Sequence, residues 1–308
     1  MKKTIALSFV CLMVLAALFA GGCGGSKTAT TSSQTAPAAV NIKKVQAGDI
    51  QVGYKTFGKG YPLVLIMGYS GTMDDWDPNF VAALAKKYKV VMFDNRGMGE
   101  TAAGTSQFTI PQFATDTAAF MDALGIKTAH VLGFSMGTTI AQELVLNYPQ
   151  KVNRLILYAA DCGGTQAVPP SPQLLQQLTD TSGTPEQRGE RLTALLFPPQ
   201  WLAVKKNQDY LAATLGKSRE PIPAESVNKQ TQAMASWSGS YDRLPGIKNP
   251  TLLLTGTEDM LTPPQNSMII VNRIPSAWLS QFRGAGHGLE YQYPDQAAAT
   301  VLNFIASP

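Results

Sequence analysis

Three residues far apart in the chain have types and surroundings suited to making a nucleophile. Gly133-Phe134-Ser135-Met136-Gly137 has the G-x-S-x-G form, in which flanking glycines leave room for a tight strand-to-helix turn that lifts a serine hydroxyl out of the backbone. A serine hydroxyl is a poor nucleophile at neutral pH, so it needs a base, an acid to orient that base, and donors for the oxyanion. The chain offers two histidines, His130 and His287. His130 lies within the apolar run leading to Ser135 and reads as a residue that packs or caps the sheet. His287 sits in Gly284-Ala285-Gly286-His287-Gly288, a glycine-rich loop able to present an imidazole, and is the better base.

The acid belongs on a loop after a strand, between serine and histidine in chain order. Asp259, in Gly256-Thr257-Glu258-Asp259 just after Thr251-Leu252-Leu253-Leu254, meets both conditions. Its rivals are the neighbouring Glu258 and Asp161, which follows the preceding strand. The expected chemistry is two-step acyl transfer without a cofactor. His287 deprotonates Ser135, the serine attacks an ester, lactone or amide carbonyl, and water then releases the acyl group. The G-x-S-x-G pattern alone arises by chance in about one chain in ten of this length, so the elements around it must carry the reading.

Those elements read as an α/β domain with a mostly parallel sheet wound on both faces. Val45 to Phe57 forms an expected hairpin with Gly48-Asp49 at its turn. Buried strands follow at Tyr61 to Met67, Val90 to Phe93, Ala129 to Gly133, Leu155 to Tyr158, Thr251 to Leu254 and Trp278 to Phe282. Between them lie helical patterns at Phe80 to Tyr88, from Thr109 to Gly125, after Ser135, around Met268 to Val271 and from Asp295 to Ile305. Thr109 and Gln112 predict a capping box, with Pro111 in the first turn. From about Gly163 to Leu244 the chain is rich in Pro, Gln and Thr and shows no buried strand, which marks a helical cap inserted after the sixth strand. Phe197, Trp201, Tyr210, Trp237 and Tyr241 there, and Phe134 at the elbow, either line an apolar cavity or pack internally; packing is the commoner role.

Taken in order, these motifs resemble the α/β-hydrolase superfamily over nearly all of Val45 to Ala306. Phe93-Asp94-Asn95-Arg96-Gly97-Met98-Gly99 resembles the family's D-x-R-G-x-G loop, with Asp94 and Arg96 as structural partners. Met67-Gly68-Tyr69 falls where the family usually has His-Gly-x. The resemblance implies that the backbone N–H groups of Tyr69 and Met136 form the oxyanion hole. Met67 departs from the usual His and Thr138 from a common glycine. A serine nucleophile argues against the branches that use aspartate. The esterase, lactonase, cofactor-free haloperoxidase and proline iminopeptidase-like groups look nearest, with a small to medium apolar acyl substrate; no amine-recognising acidic cluster is visible in the cap, which disfavours a peptide. The competing class is a non-catalytic ligand-binding or sensing lipoprotein on the same fold.

The N-terminus points to a compartment. Lys2 and Lys3, an apolar run from Ile5 to Ala20 and small residues beyond it have the architecture of a secretory signal over residues 1–22. Ala20-Gly21-Gly22-Cys23 resembles the bacterial lipobox, which implies diacylglycerol on Cys23, and the Gly, Ser, Thr, Ala and Pro that follow, to about residue 44, suit a flexible tether. The expected location is the cell envelope, outside the cytoplasm, on a bacterial membrane. A net charge of +4 spread along 308 residues excludes a nucleic-acid footprint. Of three cysteines only Cys162 lies in the body, and no Cys/His spacing suggests a metal.

Overall fold

The computed structural model describes residues 41–180, 182–215 and 221–308. The leader, Cys23 and the tether as far as residue 40 lie outside the described residues. Eight strands form one sheet: β1 Lys43–Ala47, β2 Ile50–Phe57, β3 Pro62–Ile66, β4 Lys89–Phe93, β5 Ala129–Phe134, β6 Val152–Tyr158, β7 Thr251–Gly256 and β8 Ala277–Phe282. Their order is β1-β2-β4-β3-β5-β6-β7-β8. The first two pairings are antiparallel and the rest parallel. The first strand starts at Lys43, two residues before Val45.

The central strands are β-branched and apolar because both of their faces are covered. Alternate side chains serve opposite faces. Val64, Ile66, Val91, Phe93, Val131 and Leu155 pack with helices α2 (Ile110–Ala123), α3 (Met136–Asn147) and α9 (Gln265–Val271). Leu63, Leu65, Val90, Met92, Leu132 and Ile156 pack on the other side with α1 (Pro78–Ala85) and α11 (Pro294–Ala306). This is the α/β class that the alternation of elements implied.

Between β6 and β7 the described chain forms five α-helices, two short 3-10 turns and no strand: α4 Pro172–Thr179, α5 Pro185–Leu196, α6 Pro199–Leu202, α7 Lys205–Thr214 and α8 Ala224–Ser236. A short α10, Leu289–Gln292, precedes α11. The expected capping box at α2 is only half formed. Thr109 Oγ1 accepts from Gln112 N–H at 3.1 Å, but the Gln112 amide turns along the helix and donates to buried Asp116 at 2.9 Å. A charged acceptor one turn along outcompetes the backbone N–H.

Candidate active site

Strand order fixes where a site can form. The chain passes from β3 to its neighbour β4, then crosses back over β3 to reach β5, so the connections leaving the carboxyl ends of β3 and β5 diverge and open a crevice. Ser135 stands at the end of β5 on the rim of that crevice. Its φ of 53° and ψ of −122° are the tight turn that the motif requires. Gly137 is needed for close approach, since a Cβ there would lie 2.1 Å from the Ile66 carbonyl oxygen at the end of β3. Ser135 N–H donates to Tyr158 O at 2.9 Å, while the residue itself stays partly exposed, as Phe134 before it does, with Met136 after it buried. Met136 opens α3, so no intrahelical acceptor claims its N–H. Thr138, in place of a glycine, clasps the turn by donating its hydroxyl to Ser135 O at 2.7 Å.

Asp259 and His287 meet beside this turn. The end of β7 passes the loop after β8 so closely that a Cβ on Gly256 would stand 2.2 Å from Ala285 O. Asp259 Oδ1 accepts from Leu261 N–H at 3.0 Å and Thr262 N–H at 2.8 Å. The same carboxylate lies 2.8 and 3.0 Å from His287 Nδ1. Both side chains are buried, at 4% and 3% exposure, so the pair is shielded from solvent. The Phe134 ring is 5.0 Å from the imidazole and stacks 4.6 Å from Tyr158, which joins the serine turn to the histidine loop. With Nδ1 engaged, Nε2 is the ring atom left to reach a serine. No hydrogen bond joins the Ser135 hydroxyl to His287 in this structure, the loose arrangement common before substrate arrives.

The other candidates are engaged differently. Glu258 is exposed and accepts from Gln200 of α6. Asp161 Oδ1 accepts from Gly163 N–H at 2.8 Å, and burial raises its pKa; it makes no hydrogen bond to His287. His130 is packed between the rings of Tyr61 and Tyr88, 4.8 and 5.4 Å away. Burial, then the charge of Arg154, pushes its pKa down to about 4, so it is neutral at pH 7.

The loop after β3 holds Tyr69 and Ser70, the latter at φ 59°, and Gly68 packs against the elbow, its Cβ position 3.1 Å from Ser135 Cβ. Without a histidine at position 67, the loop takes its shape from elsewhere. Asn95 Nδ2 donates to Met67 O at 2.9 Å. From α8, Gln230 Oε1 accepts from Ser70 N–H at 2.9 Å and Thr231 Oγ1 lies 2.8 Å from the Tyr69 hydroxyl. Asp94 accepts from Met73 and Glu100 N–H at 2.7 and 2.9 Å, and Arg96 pairs with Asp49 and Asp116, so both serve structure. Sequence reasoning missed Gln230, and also Tyr158, whose hydroxyl contacts the His287 carbonyl, and Glu290, which contacts that hydroxyl. Nothing local distinguishes these residues in the sequence; they matter through what the fold brings against them.

Of the aromatic residues considered for a cavity, Phe197 and Trp201 stack on each other at 5.0 Å. Tyr210 donates to Asp77, Trp237 Nε1 donates to Glu143 at 2.8 Å, and Tyr241 lies under Arg273 at 4.5 Å. Phe134 alone of the group packs on the imidazole. Among the described residues no group of three or more His, Cys, Asp or Glu side chains is placed to hold a metal ion.

A family profile described as alpha/beta hydrolase fold matches residues 61–289. A protein of Azorhizobium caulinodans provisionally named carbamate hydrolase RutD is 27% identical over 262 residues, 83% of this chain and 96% of its own. An α/β-hydrolase fold protein from Chitinophaga pinensis superposes with a TM-score of 0.76 at 25% identity, over 88% of this chain and 99% of that one. The meta-cleavage product hydrolase of Pseudomonas fluorescens IP01 superposes at 0.73 over 86% and 97%; its 22% identity bears on the fold alone.

Proposed function

The chain belongs to the α/β-hydrolase family of enzymes, and from that premise we propose that it is a serine hydrolase cleaving an ester, lactone or related acyl bond in a small to medium, apolar substrate. Ser135 is the nucleophile and His287 Nε2 its base. Asp259 holds the tautomer with the proton on Nδ1 and stabilises the imidazolium formed when the serine proton moves. The N–H groups of Tyr69 and Met136 receive the oxyanion, assisted by the positive end of α3. Deacylation repeats the cycle with water in place of the serine. The observation that supports this reading most is the buried contact of His287 Nδ1 with both oxygens of Asp259, 2.8 and 3.0 Å away, beside the strained turn at Ser135.

A fluorophosphonate probe tests the nucleophile. Wild-type protein is expected to label at Ser135, and Ser135→Ala to lose both label and turnover of short-chain p-nitrophenyl esters by about a thousandfold or more. A folded protein that resists the probe, or an alanine variant with undiminished turnover, defeats the mechanism.

The same proposal puts the enzyme outside the cytoplasm on a lipid anchor at Cys23, supported by Lys2-Lys3, the apolar run and Ala20-Gly21-Gly22-Cys23. Mass spectrometry of the mature N-terminus is expected to find Cys23 first and diacylglycerol-modified; an unmodified Cys23 refutes the anchor.

A further inference from the structure

Tyr158 ends β6 directly beneath the histidine loop, and Glu290 follows His287 by three residues. The Tyr158 hydroxyl contacts both the main-chain oxygen of His287 and Glu290 Oε2, and it also accepts from Glu290 N–H at 3.4 Å. All three residues are buried, at 1%, 3% and 2% exposure. A phenol carries one proton and a carbonyl can only accept. If Glu290 is ionised, that single proton serves either the carboxylate or the His287 carbonyl. The oxygen left over then faces the phenolic oxygen lone pair to lone pair, away from water, at a desolvation cost. If Glu290 is protonated, its O–H donates to the Tyr158 oxygen, the phenolic O–H donates to His287 O, and every group is satisfied.

The surroundings favour the protonated form. Besides the imidazole of His287 itself, the titratable groups facing this cluster are Asp77 at the N-terminus of α1, Tyr291 next to Glu290 with Asp75 and Tyr210 near it, and Asp259 near Tyr158. All are acidic or phenolic. Burial first, then repulsion from Asp77, outweighs the Tyr158 contact and pushes Glu290 up to about 8. The rest of the histidine loop is pinned separately, by Gln292 accepting from Gly286 N–H and Leu196 O accepting from Gly288 N–H, at 2.7 and 2.9 Å. The His287 carbonyl depends on Tyr158.

We propose that Tyr158 and Glu290 are positioning residues that anchor the main chain of His287, and that they do so only while Glu290 carries its proton. The proposal rests on His287 being the base, and its test separates the two. With p-nitrophenyl butanoate, corrected for spontaneous hydrolysis, wild-type kcat is expected to fall as pH rises through about 8, with KM little changed. Glu290→Gln, whose amide still donates to Tyr158, is expected to turn over and to lose that alkaline limb. Tyr158→Phe is expected to lower kcat about ten- to a hundredfold at every pH through slackened positioning, with the limb gone. An alkaline limb surviving in Glu290→Gln, or a Tyr158→Phe profile matching wild type, overturns the proposal. Absence of Ser135-dependent turnover would defeat the enzyme reading instead. Thermal unfolding would then decide: wild type losing stability as pH rises through about 8, with the loss diminished in Glu290→Gln, supports the anchor, and equal losses in both overturn it.

Discussion

Asp259 is held by two backbone N–H groups as well as by its imidazole, and that arrangement predicts what an amide would do in its place. In Asp259→Asn the side-chain oxygen stays with the Leu261 and Thr262 donors, which leaves the NH2 group facing His287 Nδ1. That nitrogen must then accept, so the ring proton moves to Nε2, the atom proposed as base. The expected outcome is a loss of kcat of about 10⁴-fold in a protein that remains folded, checked by steady-state kinetics beside circular dichroism. A loss below tenfold would mean that the Asp259–His287 contact does not set the tautomer. Ser135, Asp259 and His287 were legible as candidates because each sits in a local context that the chemistry itself demands, an elbow or a loop after a strand. Glu290 and Tyr158 were not, since a carboxylate one turn past a histidine reads as a surface residue until β6 is known to end beneath it. Gln230 was hidden for the same reason: its partner Ser70 is 160 residues away.

The elements were easier to read than their partnerships. Strands buried on both faces leave unbroken apolar runs, and helix starts carry proline and small polar residues, so every body strand and helix named from sequence has a counterpart within a few residues. The half-formed capping box at Thr109 shows the limit, because the side chain that competes for Gln112 belongs to the next turn of the same helix. Element packing also makes two glycines behave oppositely. At Gly137, the start of α3 rests on the end of β3, and a methyl group 2.1 Å from the Ile66 oxygen forces two backbones apart. Gly137→Ala is expected to lower unfolding stability by about 1–3 kcal/mol, with Ser135 labelling falling in step. At Gly189, inside α5, an added Cβ meets nothing within 4 Å. Gly189→Ala is expected to raise stability by about 0.5–1 kcal/mol through helix propensity. Urea denaturation of both variants measures the contrast, and a destabilised Gly189→Ala would contradict the open surroundings described for it.

At the scale of the whole molecule, buried ionisable groups at opposite ends of the sheet tilt stability in opposite directions. His130 lies near the start of β5, and its pKa is pushed from 6.5 down to about 4. Between those values the unfolded chain binds more protons than the native one, so His130 contributes stability that is complete above pH 6.5 and is lost as pH falls toward 4. Asp49, held below the usual carboxylate range by Arg96, tilts the same way in acid. Glu290, beyond the end of β6, is pushed from 4.5 up to about 8, so its contribution is complete below pH 4.5 and is lost as pH rises through about 8. Burial raises Asp77 and Asp161 as well, so their contributions are lost in the same direction, as pH rises above the ordinary carboxylate value. From 4.5 to 6.5 the His130 and Glu290 slopes oppose each other, and above 6.5 the Glu290 slope runs without that opposition. His130→Gln is therefore expected to leave stability falling with pH from 4.5 to about 8, and Glu290→Gln to leave it rising with pH from about 4 to 6.5 and flatter above. Because the two groups share no partner, the double variant should show both effects added. Thermal melts of the four proteins from pH 4 to 9 make the comparison; a His130→Gln variant that changed the alkaline limb would show that the two ends of the sheet titrate as one coupled system.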